Sequence, residues 1–436
     1  MVVSLVENRS LYQRTDDFPA ASDYVPLEIM LPLQKTLDPL QNRLEEWLSR
    51  VGLDLNPFEY IDSGKDPLIP FYLIDHDQFE NVSGDQPSFV FAPAGGGKTA
   101  FRVRLARECR VGRNGRRIFP IVYKPTTPGD LDEEKEESAH RQRTDLLRYA
   151  SQELFLHLAY DPYALQEMDA ALRKVFLQTV SWDLDFSILY YVSQMRDVGR
   201  LESIISAFDP TARSLPNPPD KEDIGYLFKK LSRYAPSEIQ KPDSEKRLEI
   251  LFDLILNKLN FEAVYILVDG VDAFLETVYS PERALASISW LLDSTLPWRQ
   301  KSIYVKYFLP DEVHPILVGT PSFLLLTSKS KIIFVKWDTN ALSEVIHQRL
   351  QEASGGKFDS LAAISDRALR ASGRSPEEVL IGELSQHKKL NPRSLIRAIN
   401  RLFTNHVRDE HIREKLTPQD VTAVREWIRR EYSARG

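Results

Sequence analysis

Eleven residues, Phe89-Val90-Phe91-Ala92-Pro93-Ala94-Gly95-Gly96-Gly97-Lys98-Thr99, carry the plainest chemistry in this sequence. An apolar run meets three glycines, a lysine and a threonine, which describes a strand, a turn able to hold an anion and the start of a helix. Gly95, Gly96 and Gly97 admit positive φ, so the N–H groups from Ala94 to Ala100 can turn towards phosphate oxygens. Lys98 can reach the β- and γ-phosphates of a nucleoside triphosphate. Thr99 can place a hydroxyl on Mg²⁺, with a helix N-terminus behind both. The strict pattern G-x-x-x-x-G-K-[ST] has glycine where Ala92 stands, a mild departure. A glycine-rich hairpin with an exposed lysine is the bland alternative. The amphipathic segment from Ala100 to Cys109 speaks against it.

A second stretch, Ala263-Val264-Tyr265-Ile266-Leu267-Val268-Asp269-Gly270-Val271-Asp272, has six apolar residues ending in an acid. That is the pattern of a buried parallel strand delivering a carboxylate at its C-terminal end. Asp269 is then expected to hold Mg²⁺ through water, and Asp272, one turn on, to orient or deprotonate an attacking water. An apolar strand ending in Asp is common by itself and gains weight only beside the glycine loop. The two stretches together predict that Lys98 and Asp269 meet across neighbouring strand ends.

Other chemistries find little support. The eight histidines form no H-E-x-x-H pair, Cys109 is the single cysteine, and no G-x-S-x-G elbow occurs. His406 and His411 read as bland surface residues. With one cysteine no internal disulfide can form, and a reducing compartment is the natural one. The net charge of −7 gives no global pull towards nucleic acid or anionic membrane. No apolar run approaches the ~20 residues that span a bilayer, so a cytoplasmic protein without a membrane partner is expected.

Five strands are predicted, at Phe89, Ile118, Val264, Ile303 and Ile332, separated by helical patterns, so the fold class is α/β with about five mostly parallel strands. Residues 1–70 read as an N-terminal arm with a helix over Leu27 to Val51 and an irregular linker. Residues 71–337 form the core, interrupted by a helical insertion at about 140–259 with a proline-rich break at Leu215 to Pro219. Residues 338–436 form an all-helical C-terminal domain, its helices starting at Asp338 or Thr339, Pro376, Asn391-Pro392-Arg393 and Thr417-Pro418. From Asn391 to Gly436 ten basic residues face six acidic ones, a local excess that could lie on a phosphate backbone.

With these motifs the chain resembles the AAA+ superclass of P-loop ATPases, nearest the STAND branch of signal-transduction ATPases, over roughly Phe71 to Val407. The branch rests on Val268-Asp269-Gly270-Val271-Asp272, where STAND proteins carry apolar-Asp-Gly-x-Asp. The resemblance implies a P-loop three-layer sandwich with a helical lid, ATP and Mg²⁺ as cofactors, slow or partner-stimulated hydrolysis, and Asp272 as the water-activating acid. It makes Asn391-Pro392-Arg393 similar to a nucleotide-sensing lid motif, with Arg393 at the γ-phosphate. It places adenine near the segment Asn56 to Gln86, and prefers ATP to GTP because no Asn-Lys-x-Asp motif is apparent. Arg299 is the first candidate for an arginine finger acting between subunits. A switch that assembles with further copies in the ATP state, and serves an unidentified protein partner, is the expectation. A loader acting on DNA and a nucleotide-binding scaffold without turnover are the alternatives. Two features depart from the branch: no Gly-Arg-Glu motif precedes the glycine loop, and no repeat array follows the lid.

Overall fold

The structure is a computed structural model and describes residues 39–112, 115–160, 164–184, 208–209, 211, 222, 241–370, 373–408 and 413–433. The first part of the expected helix over Leu27 to Val51, the segment Leu215 to Pro219 and His411 lie outside these residues. Two units divide the chain, 1–43 and 44–436, and everything below concerns the second.

Five strands, β1 (Ser88–Ala92), β2 (Ile118–Tyr123), β3 (Ala263–Val268), β4 (Ile303–Pro310) and β5 (Lys331–Phe334), make one all-parallel sheet in the order β2-β3-β4-β1-β5. Strand β3 shows why the sequence takes this form. All six of its residues are buried, with Val264, Ile266 and Val268 facing one layer and Tyr265 and Leu267 the other. A strand covered on both faces has no use for polar alternation, hence the unbroken apolar run. Burying each large side chain contributes roughly 1.5–3 kcal/mol.

The longer helices are α1 (Pro39–Val51), α2 (Lys98–Val111), α3 (Lys135–Tyr160), α4 (Ala170–Asp183), α5 (Ser244–Asp253), α6 (Ser289–Arg299), α7 (Thr339–Ala353), α8 (Pro376–Gln386), α9 (Pro392–His406) and α10 (Pro418–Ser433). Helix α2 covers one face with Phe101, Leu105 and Cys109. Helices α3 to α6 cover the other through residues such as Leu154, Phe176, Leu251 and Leu291. The chain crosses from β1 to β2 in one direction and travels from β2 through β5 in the other. Crossovers of one hand then require helices on opposite faces, and that is the arrangement found.

Helices α3 and α5, which bound the expected insertion at about 140–259, are the layer that covers the sheet. Strand β5 ends at Phe334 rather than Trp337. Its open edge is blunted because the Gln78 amide donates to Phe334 O and accepts from Lys336 N.

Helices α7 to α10 pack on one another as a C-terminal group. Asp338 and Asn391 cap α7 and α9 by accepting from Ala341 N and Ser394 N, and Ser375 with Glu378 closes a capping box on α8. Each cap is worth about 1 kcal/mol. Residues 44–58 join this group. The Trp47 ring lies 5.2 Å from Phe403 and 4.8 Å from His406, and Asn56 donates to Asn400. His406 is therefore a buried residue, held by Asp420 and Arg413 O, and not a surface one. Among the described residues no helix is long and apolar enough to cross a membrane.

Candidate functional site

The glycine loop leaves β1 at Ala92 and enters α2 at Lys98, at the carboxyl ends of the strands. Strand β1 is followed by a helix on one face and its neighbour β4 by helices on the other, so a crevice opens between them. Gly95 and Gly97 take φ of 79° and 88°, and both are hemmed in. A Cβ on Gly95 would sit 2.5 Å from Arg393 Cβ, and one on Gly97 3.0 Å from the Trp337 indole. Only glycine satisfies both the backbone conformation and the space. Trp337 also donates its indole N–H to Gly96 O at 2.9 Å, pinning the loop from outside. Ala92 needs no positive φ: it is the last residue of β1, buried and extended, so the departure from the strict pattern costs the loop nothing.

Lys98 is buried and its amino group donates to Ala92 O at 3.0 Å and Pro93 O at 3.4 Å, and lies 3.5 Å from Asp272 Oδ2. Asp269 follows β3 and Asp272 the turn after it, where Gly270 at φ 74° lets Ala273 N bond Gly270 O. Strand β4 lies between β1 and β3, so the two strands that present Lys98 and Asp269 are not neighbours as expected. The residues nevertheless line one cavity of about 490 Å³, together with Ala94, Gly95, Gly97, Thr99, Ala100, Asp272 and Arg393. Arg393 reaches it from α9: its N–H donates to Gly95 O at 3.3 Å while its side chain packs on Gly95.

The cavity is two-sided. Its charged end holds Lys98, Asp269, Asp272 and Arg393, and Ile69, Tyr72, Ile74, Val345 and Ile396 give it apolar walls. The segment Asn56 to Gln86 contributes Ile69, Tyr72 and Ile74 to these walls, and α7 and α9 contribute Val345 and Ile396. Arg349 from α7 closes this side, stacked 4.6 Å over the Tyr72 ring and paired with Asp66 at 3.2 Å, both charges buried. Burial raises the Asp66 carboxyl despite Arg349 beside it. Such a cavity accommodates a ligand with a flat apolar part and an anionic part. Thr99 and Asp269 offer two oxygens, so a hard cation held here would take its remaining ligands from water and from the bound molecule, as Mg²⁺ does.

Arg299 is not brought to this cavity. It is exposed at the end of α6, before β4 begins, about 23 Å of strand away from the carboxyl edge. Several site residues escaped the sequence. Arg102 is wholly buried and its Nε donates to Asp269 Oδ2 at 3.3 Å. Its signal was an arginine in the core-facing positions 101, 102, 105, 106 and 109 of α2, easily dismissed as a surface charge. Asp311, after β4, has its carboxyl raised by burial and by Glu312, with Lys98 acting the other way. Lys124, after β2, is lowered by burial and by Arg102. No protein-family model, no curated protein and no solved structure matches this chain.

Proposed function

We propose that the chain is an ATP-binding and ATP-hydrolysing P-loop ATPase of AAA+/STAND type, working as a nucleotide-dependent switch of conformation and assembly. The observation that supports it best is the convergence of Lys98, Thr99, Asp269, Asp272 and Arg393 on one cavity with an apolar side large enough for a purine.

In this reading the N–H groups from Gly95 to Ala100 and the amino group of Lys98 bind the phosphates. Lys98 gives up Ala92 O, Pro93 O and Asp272 to do so, and all are replaceable acceptors. Asp272, released from Lys98 and partly exposed, is free to accept a proton from the attacking water. Bound Mg²⁺, held by Thr99 and through water by Asp269, would neutralise charge on the phosphates. Arg393 senses occupancy, because its backbone and side chain both rest on Gly95, so α9 must follow any movement of the loop. Adenine stacks among Ile69, Tyr72 and Ile396. Arg299, away from its own cavity, could act only on another copy.

Three measurements on the purified protein test this: binding of a fluorescent ATP analogue, phosphate release, and mass by light scattering with and without Mg·ATP. Binding, slow turnover and a rise in mass that Lys98→Ala lacks are expected. Absence of nucleotide binding overturns the proposal. Binding without turnover favours the scaffold, and a fixed monomer that hydrolyses ATP removes the assembly switch.

One observation favours DNA as a partner. Arg397 and Arg401 on α9, Arg408 just after it and Arg430 on α10 gather closely enough that burial and the other three lower the proton affinity of Arg401. Two of them stack on Trp427 at 5.1 and 5.0 Å. A salt-dependent gel shift of duplex DNA, lost on reversing Arg401 and Arg408 to Glu, is the outcome this alternative requires.

A further inference from the structure

Arg102 is in an unusual position. Its side chain is fully buried, yet of its five N–H donors only the one on Nε finds an acceptor, Asp269 Oδ2. Nη1 and Nη2 are buried without a hydrogen-bond partner. Buried donors left unmade are rare and costly, so a guanidinium held this way is poised between arrangements. The second arrangement is visible. Asp209, from the chain between α4 and α5, lies with Oδ2 3.8 Å from Arg102 Nη1, in ion-pair range but short of a hydrogen bond. Asp209 is itself anchored: Arg110 donates to it at 3.0 Å, and Thr211 donates through its hydroxyl at 2.6 Å and its N–H at 3.1 Å. Arg110 is further fixed by two bonds of 2.7 Å to Glu153 on α3. Asp269 is held on its other oxygen by Gly270 N at 2.9 Å. One guanidinium with unmade donors thus stands between two anchored carboxylates, Asp269 at the cavity and Asp209 between α4 and α5.

We infer that Arg102 couples the helical insertion to the state of the cavity by moving between Asp269 and Asp209. This rests on the nucleotide reading above. When the charge of Asp269 is shared with a cation brought by a nucleotide, its hold on Arg102 weakens. The guanidinium then turns its free Nη groups onto Asp209 and binds the insertion more tightly to α2. Linkage makes the effect reciprocal: an insertion that holds Arg102 releases Asp269 for the cation. The insertion thereby becomes the element through which a partner would raise or lower nucleotide affinity.

The reciprocity supplies a readout that a merely structural role would not move. Asp209→Asn keeps the shape and removes the charge that competes for Arg102. Nucleotide affinity is measured with Mg²⁺ and with EDTA, for the full chain and the variant. The variant is expected to lose about 5- to 100-fold in the Mg²⁺ condition, the usual range of such coupling, and to match the wild type in EDTA. Arg102→Lys, which keeps the charge and loses the fork, should lie between the two. Independently of any variant, amide exchange in peptides containing Asp209 should slow in the wild type on adding Mg²⁺ with nucleotide, but not with nucleotide in EDTA. Equal losses in both conditions, or exchange that ignores the cation, would overturn the coupling while leaving the nucleotide site intact. A wild type that binds no nucleotide in either condition overturns the site and the coupling with it.

Discussion

Among the described residues, Lys98 and Lys306 are buried against backbone carbonyls, and they differ in what else they touch. Lys306, in the middle of β4, donates to Val82 O, Gly84 O and Gln86 O at 2.8, 2.7 and 2.7 Å and lies 4.8 Å from the Tyr265 ring centroid. Three acceptors for three donors saturate it, so it is a pin that fastens the segment before β1 to the sheet. Lys98 makes one good and one long bond to carbonyls and keeps a carboxylate 3.5 Å away, at the wall of a cavity. Its partners are fewer and can be exchanged. Lys306, with a full set of fixed acceptors, serves the fold, whereas Lys98, with exchangeable partners and facing a cavity, has the arrangement that the proposed binding role requires.

That contrast can be broken from either side. The largest expected effect belongs to the acid beside Lys98: Asp272→Asn should lower ATP turnover about 10²- to 10⁴-fold with nucleotide affinity nearly unchanged, as single-turnover and binding assays would show. Lys306→Met takes the ammonium donor from Val82 O, Gly84 O and Gln86 O and should destabilise the fold by about 3 kcal/mol, read from urea unfolding. Lys98→Ala should do the reverse of that, weakening nucleotide binding about 10- to 100-fold while stability changes little. If Lys98→Ala unfolded the protein and Lys306→Met abolished binding, the assignment of the two roles would be inverted.

The effect on any one pH unit is the smallest. Burial brings Lys306 down from 10.5 to about 7, with Cys109 and Asp85 acting the other way. Between those values the unfolded lysine carries a proton that the folded one has released. The unfolded state binds more protons there, so stability rises with pH from about 7 towards 10, by at most about 1.4 kcal/mol per unit. The cost of burying the ammonium is fully present below pH 7. A slope in the unfolding free energy over this window that Lys306→Met removes is the expected result.

Much of this was legible in one dimension. All five strands fall where apolar runs predicted them, and Asp338, Ser375 and Asn391 cap their helices because a small polar side chain followed by a helical pattern has few other uses. The glycine loop was legible for the same reason: positive φ and close approach at Gly95 and Gly97 admit almost no other residue. Less readable was anything carried by a long charged side chain. Arg102, Arg349 and Lys306 look like surface residues in a sequence, since their types are mostly exposed, and only their acceptors reveal them as buried.

The sequence by itself determined where the chain turns, which segments alternate between strand and helix, and where the glycine loop takes positive φ, because backbone conformation and local periodicity are set by near neighbours. Tertiary structure alone decided that β4 separates β1 from β3, that residues 44–58 belong with the C-terminal helices, and that Arg102 stands between Asp269 and Asp209. Those outcomes depend on which distant carboxylate or ring meets each side chain once the layers close, and spacing along the chain does not encode such meetings.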